Sequence, residues 1–325
     1  MLSLLLSGLL TLVSLNCENL FDCRHDTLKN DYEWLPEGIN QWTPSRYWHK
    51  VNNIGREILA CGQSPLYAAE GDGAPMDGTF QLPDLVALCE IENDSVLFDL
   101  TRRSLLRNAR YEYVVTQSPD PRGIDVALLY SPFSFRLLHW QALRVEPLKD
   151  MHPTRDILCA SGLLVTGDTL HVFVVHAPSR SGGEVLTRPH RMLVANRLAA
   201  AIDSIRTLQP SAQVVVCGDF NDYSRDKSIR FLEKEARLTD VSRNARGSNG
   251  ARGTYRYQGE WGSLDHILAS PPMVSRLAEC IVFDAPFLLV DDETYGGMKP
   301  RRNYIGPRYQ RGYSDHLPLV ARFRL

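Results

Sequence analysis

The stretch Val214-Val215-Val216-Cys217-Gly218-Asp219-Phe220-Asn221-Asp222 decides how the rest of the chain is read. A β-branched run ending in Gly-Asp-x-Asn describes a buried strand that stops and delivers polar side chains at its mouth. Asp219 and Asn221 stand two residues apart, so in extended geometry both point to one side. A carboxylate beside a carboxamide can bind a metal, or hold a water and a phosphate. An Asx turn favours the same residue types, so the pentapeptide alone leaves turn and active site both open.

Working outward, other apolar runs end the same way. Asn16 follows Leu12-Val13-Ser14-Leu15, Glu90 follows Val86-Ala87-Leu88-Cys89, and His176 follows Val172-Phe173-Val174-Val175. Asp265 and His266 lie within Leu264-Asp265-His266-Ile267-Leu268, and Asp315-His316 precede Leu317-Pro318-Leu319-Val320. Taken singly, each is equally a surface carboxylate, a core histidine, a cap or a turn residue. Together they describe one polar site where strands end. Carboxylate and carboxamide oxygens suit Mg²⁺, with Mn²⁺ as a substitute. A histidine held by an aspartate is fixed in tautomer and made more basic. The chain has no Cys/His cluster for zinc, no Walker sequence and no GxSxG elbow. Phosphoester hydrolysis with a hard metal is the reaction these groups fit.

The 325 residues are 44% hydrophobic and 23% charged, an ordinary globular composition. The net charge of −2 excludes a global basic field for nucleic acid and leaves room only for a local patch. Seven cysteines without CxxC spacing read as buried, reduced thiols. Residues 1–9 resemble the apolar part of a signal peptide but lack a positive n-region, since the first basic residue is Arg24. They are read as a signal-like remnant on a single domain spanning 1–325, with cytoplasm and export both open. No later apolar run approaches the roughly 20 residues needed to span a bilayer.

The patterning predicts strands over 9–16, 85–89, 111–116, 126–130, 135–145, 157–165, 170–177, 214–217, 264–269 and 317–323. Helices are expected over 49–59, 95–107, 186–208 and 226–236, the third with Met192, Ala195, Ile202 and Ile205 as its buried stripe. Residues 62–81 read as a loop. Strands outnumber helices and cluster mid-chain as hairpins. That combination predicts an α/β (α+β) four-layer sandwich, two packed mixed β-sheets flanked by helices.

The order Asn16-x-Glu18-Asn19, Glu90, His176, Gly218-Asp219-x-Asn221, Asp265-His266 and Ser314-Asp315-His316 resembles the endonuclease/exonuclease/phosphatase superfamily over residues 11–323. This is the DNase I-like group that includes exonuclease III, sphingomyelinases and inositol polyphosphate 5-phosphatases. The resemblance implies the same sandwich. It implies Glu90 as principal metal ligand, with Asn16 beside it, Glu18 assisting and Asp315 at the metal. Asp219 would orient or deprotonate the attacking water and Asn221 hold the phosphate. His316 would stabilise the transition state or act as acid/base, oriented by Asp265, with His176 across the scissile phosphate. Arg122, in Arg122-Gly123-Ile124-Asp125-Val126-Ala127, matches a motif of bacterial members and is assigned to substrate or the site wall; a surface arginine in a turn is the other reading. Ser179-Arg180 after Pro178 resembles the family's substrate loop. Val175 stands where many bacterial relatives carry Asn, and Asp222-Tyr223-Ser224 replaces the Tyr-Arg of the 5-phosphatases.

Nucleic acid is the expected substrate, DNA ahead of RNA. Arg301, Arg302, Arg308 and Arg311 are interleaved with Tyr304, Tyr309 and Tyr313 just before Ser314-Asp315-His316. Arg252, Tyr255, Arg256, Tyr257 and Trp261 give a similar mixture before Asp265. Such residues can meet phosphates and stack on bases; a solvated loop with aromatic packing is the alternative. A phosphatase or phospholipase C-like enzyme on a lipid headgroup or small phosphoester would use the same site behind a different rim. A non-catalytic binding module would need a lost site residue, and Glu90, Asp219, Asn221, Asp265 and His316 are all present. A monomer without an obligate protein partner is expected.

Overall fold

In the computed structural model, which describes residues 8–63, 80–149 and 151–325, two six-stranded sheets pack face to face. The strands are β1 (Leu9–Leu20), β2 (Leu85–Ile91), β3 (Glu112–Val115), β4 (Asp125–Tyr130), β5 (Phe135–Leu143) and β6 (Ile157–Leu164). They continue as β7 (Thr169–His176), β8 (Gln213–Asp219), β9 (Thr239–Asp240), β10 (Asp265–Ala269), β11 (Leu277–Val282) and β12 (Leu319–Arg324). The first sheet runs β11-β12-β1-β2-β4-β3 and the second β5-β6-β7-β8-β10-β9. The principal helices are α1 (Pro44–Ala60), α2 (Glu184–Leu208) and α3 (Lys227–Glu235). This is the mixed four-layer sandwich that the strand count implied.

Strand periodicity builds the layers. Leu10, Leu12, Leu85 and Ala87 of the first sheet meet Leu158, Val172, Val174 and Val215 of the second in the central core. The intervening residues Val13, Leu15, Val86 and Leu88 face outward onto Val51, Ile54 and Ile58 of α1. On the far side, Phe173, Val175, Val214 and Val216 pack under Val194, Leu198 and Ile202 of α2 and Ile229 and Leu232 of α3. Both faces of the central strands are thus apolar, which is why they read as unbroken hydrophobic runs. Each such side chain contributes about 1.5–3 kcal/mol on burial.

Each sheet contains one parallel pair, β1–β2 in the first and β7–β8 in the second. A parallel pair requires a crossover, usually helical, and α1 and α2 lie in those two connections. The C-terminal ends of β1, β2, β7 and β8 consequently reach the same edge of the sandwich. In the second sheet Asp219 pairs in register with His176 on one side and Asp265 on the other.

Some elements differ from expectation. Residues 95–107 do not form one helix but three short helical pieces, 94–98, 99–103 and 105–108. Thr101 and Ser104 bond back to the carbonyls of Leu97 and Leu100, and the Ser104 hydroxyl then caps Leu106. Such back-bonding competes with the helical ladder. On α2 the fully buried stripe is Arg191, Val194, Ala195, Leu198 and Ile202, with Met192 and Ile205 only half-buried. Strand β11 was not anticipated; all but Val282 of its side chains are half-exposed at the sheet edge. The signal-like residues 1–7 and most of the 62–81 loop lie outside the described residues. All seven cysteines are free thiols, five of them buried.

Gly218 has φ 131°, and a Cβ there would overlap the Val175 carbonyl oxygen on the neighbouring strand. Gly218→Ala is expected to destabilise by about 3 kcal/mol through backbone strain and steric overlap. Urea unfolding checks this, and an unchanged midpoint would contradict the close approach of β7 and β8.

Candidate active site

The site forms where the two parallel pairs end together. The first sheet supplies Asn16 and Glu90, and the second supplies His176, Asp219 and Asp265. Register breaks let the first sheet do so. The β1–β2 pairing shifts between Asn16 and Leu20, and the β2–β4 pairing between Cys89 and Ile91. Glu18, Asn19 and Glu90 take positive φ values of 49°, 59° and 62° there, and Asn221 takes 51°. Bulges of this kind re-aim side chains, and left-handed non-glycine residues cluster where structure over-determines them.

The Asn16 amide joins the sheets. Its Nδ2 donates to Glu90 Oε1 at 3.3 Å and to Asp219 Oδ2 at 3.1 Å. Its Oδ1 accepts from the Glu18 amide at 2.9 Å. Asn16 therefore bridges two carboxylates through its Nδ2. His176 Nε2 stands over the same pair, 3.8 Å from Glu90 Oε1 and 3.7 Å from Asp219 Oδ2. Asn221 donates its backbone N–H to Asp219 Oδ1 at 2.8 Å and one amide N–H to the Ala177 carbonyl at 3.1 Å. Opposite them His316 Nδ1 meets Asp265 Oδ2 at 2.7 Å, and Thr254 donates to the same oxygen at 2.6 Å. Asp219, Asp265 and His316 each place one atom within 4.8 Å of the others, all buried.

Burial and proximity drive these groups apart in acidity. Burial, followed by the neighbouring Asp265, pushes Asp219 up to about 7. Burial alone would lower His316, but the Asp265 carboxylate overrides it and raises the imidazole well above its ordinary value. Burial, with Arg155 and Arg122 adding to it, holds His176 well below the ordinary range. The site thus contains a near-neutral carboxylate, a charged imidazole and an uncharged one.

Other expected site residues stand elsewhere. Glu18 turns away, accepting from Arg302 Nε at 3.2 Å and from the Asn303 amide at 2.6 Å. Burial, then Asp315, raises its pKa to about 7. Asp315 accepts from the same guanidinium at 3.2 Å, so Arg302 binds two of the four expected metal ligands. Arg180 contacts Asp226 at 2.8 Å and Asp222 at 3.5 Å, and its guanidinium lies over Tyr223. Arg122 is half-exposed beside Asp120 and contributes to the field at His176. Tyr304 and Tyr313 are buried in the core, so there the packing alternative describes the 301–313 segment.

Sequence reasoning missed Arg155 and Thr254, and it assigned Arg302 to the substrate rim, whereas its guanidinium binds Glu18 and Asp315. Arg155 is buried, donates to the His176 and Ala177 carbonyls at 3.1 and 2.6 Å, and pairs with Asp120 at 2.9 Å. It fixes the end of β7 where His176 projects. Nothing in Pro153-Thr154-Arg155-Asp156 signals this, because every partner is distant in sequence.

The donor chemistry fits a hard divalent cation. Glu90, Asp219 and Asp265 converge as carboxylates, and Asp265 Oδ1 is buried without a hydrogen-bond partner among the described residues.

A family model described as Endonuclease/Exonuclease/phosphatase family matches residues 11–324. The chain belongs to this family. Solved structures agree at the level of fold. An endonuclease/exonuclease/phosphatase from Bacteroides vulgatus is 14% identical with TM-score 0.62, covering 98% of this chain and 99% of that one. The human Nocturnin catalytic domain with bound sulfate is 18% identical with TM-score 0.58, covering 97% and 94%. Truncated Caenorhabditis elegans TDP2 is 14% identical with TM-score 0.55, covering 98% of each. No curated protein sequence matches the chain. Members of the family are phosphoester hydrolases, consistent with the acid and histidine groups at this edge.

In a metal-free titration followed by histidine NMR, His316 is expected to keep its proton well above the ordinary imidazole range and His176 to take one up only well below it. Asp265→Asn should bring His316 down. The sign follows from linkage: the His316 contribution to stability is present below about pH 6.5 and is lost as pH rises through its raised folded value. An unmoved His316 in that variant would contradict the assigned pair.

Proposed function

We propose that the protein is a metal-dependent phosphodiesterase that hydrolyses nucleic acid by attack of water on phosphorus. The convergence of Glu90, His176, Asp219 and the Asp265–His316 pair at one sheet edge carries this reading. Asp219, held near neutrality, accepts the proton of the attacking water. The new P–O bond forms as the bond to the leaving oxygen breaks. The charged His316 stabilises the developing charge and gives its proton to that oxygen; Asp265 keeps its ring in place. A general base or acid is most effective with a pKa near the working pH. Neutral His176 and the second amide N–H of Asn221 offer hydrogen bonds to phosphate oxygens. Glu90, with Asp219 beside it, would hold the cation. Bound there, Mg²⁺ or Mn²⁺ supplies neutralisation of charge on the phosphate or the leaving oxygen. The departure from Asn at Val175 leaves phosphate contacts to His176, Asn221 and the rim. Half-exposed Arg122 supports a polyanionic substrate.

Wild type and Asp219→Asn are to be compared on plasmid DNA, single-stranded DNA, RNA, phosphoinositides and sphingomyelin with Mg²⁺ or Mn²⁺. Nucleic-acid cleavage should fall roughly 100–10,000-fold in the variant and vanish in EDTA. Release of phosphate or phosphocholine with nucleic acids untouched would keep the chemistry and replace the substrate.

Saturating Mg²⁺ should also raise thermal stability, by about 2.7 kcal/mol at one hundred times the dissociation constant. Glu90→Gln should remove most of that rise. An equal rise in the variant would place the ion elsewhere.

A further inference from the structure

A cleft of about 590 Å³ opens beside the active site and is lined by Arg225, Arg230, Arg243, Arg246 and Arg252, with Trp261 at one wall. No carboxylate lines it. Arg243 is paired with Glu233 at 2.5 Å. Among the described residues the other four arginines make no ion pair, and all four are exposed. A protein of net charge −2 has thus gathered uncompensated positive charge in one concave place. Such a cleft focuses a positive field and draws anions.

Its position follows from the strands that carry the reaction. Asp219 and Asp265 are paired in register. The chain leaving Asp219 reaches Tyr223 and Arg225 within six residues, and the chain entering Asp265 comes from Trp261 and Gly262. The two segments touch: a Cβ at Gly262 would meet the Tyr223 ring at 2.6 Å. The cleft therefore begins within a few residues of the reacting centre, on the β10–β9 side of the second sheet.

The cleft is also built in advance. Asp284 is buried, and its carboxylate accepts from the backbone amides of Ser248, Asn249 and Ala251 at 2.8, 2.8 and 3.0 Å. This fixes the loop between Arg246 and Arg252 without using either guanidinium. On the other wall, Ser224 donates to Asp240 at 2.8 Å, anchoring the segment before Arg225. Cationic side chains on fixed backbone, with an aromatic ring alongside, make a lane for phosphates and unstacked bases.

We infer that this arginine cleft is a phosphate-binding subsite that holds a single-stranded stretch of the nucleic-acid substrate to one side of the scissile bond. The inference rests on the nuclease reading and adds where the strand lies. It assigns Arg225, Arg230 and Arg252 to positioning and leaves the chemistry to the site described above.

The test combines R225Q, R230Q and R252Q in one variant, all exposed positions whose folding is checked by thermal melting. Binding of a fluorescein-labelled single-stranded 12-mer is measured by anisotropy, with and without these changes, in the inactive Asp219→Asn background. Hydrolysis of thymidine 5′-p-nitrophenyl phosphate, which carries one phosphate, is measured in the active background. The expected result is a loss of oligonucleotide affinity of about tenfold or more and a salt slope shallower by about two. Hydrolysis of the single-phosphate substrate should change less than about twofold, because no phosphate of that substrate lies in the lane. Unchanged oligonucleotide affinity, or an equal loss on both substrates, would overturn the subsite. Wild type that binds the 12-mer through these arginines yet never cuts it would support the cleft as an anion lane and overturn the nuclease reading.

Discussion

The Asn16 amide holds together two carboxylates that belong to different sheets. It is the contact on which the site depends. Glu90 and Asp219 would repel one another if left unbridged at this separation, and neither has a lysine or arginine partner among the described residues. A single Nδ2 donating to both makes their approach tolerable. The fold brings them there because each sheet places its one parallel pair at its centre, so four strands finish at one edge. Bulges after Asn16 and Cys89 then aim the side chains inward.

The same edge separates chemical roles through environment alone. Two histidines of identical intrinsic basicity come to rest in opposite states. His316 faces Asp265, with Asp315 and Asp219 also near. His176 is buried with Arg155 and Arg122 on its side of the site. Assignment of acid and base therefore follows from which strand each ring sits on. Groups whose surroundings push their acidities apart are those able to trade protons near neutral pH.

Much of this was legible in the sequence because it is local. A run of β-branched residues, then a polar side chain, is a pattern of a few residues; the number of such strands implied the sandwich, and the polar ends at Asn16, Glu90, His176, Asp219 and Asp265 are the side chains that the fold brings to one edge. What could not be read was pairing at long range. The resemblance places Glu18 and Asp315 at the metal, but their shared ion pair with Arg302 was not readable, because Arg302 is 284 residues from Glu18. Tyr304 and Tyr313 look like a stacking surface until the fold buries them. The broken 94–108 segment shows a third limit, since its apolar spacing is helical but Thr101 and Ser104 redirect their hydroxyls to the backbone. In each case a side chain chose between two partners, and only the folded chain decides which is nearer.

The loop held by Asp284 separates shape from recognition. Its course is dictated by backbone amides meeting a carboxylate from outside the loop, and Gly247 leaves room for that carboxylate to sit beneath it. The guanidinium groups at its two ends, Arg246 and Arg252, take no part in that anchoring. Charge could be added, removed or exchanged there over generations with the catalytic edge undisturbed, so lineages sharing one hydrolytic centre can diverge in what they grip. The vulnerability is concentrated correspondingly: one inherited change at Asp284 or Gly247 would release the loop, whereas changes at Arg246 and Arg252 would alter only its tastes.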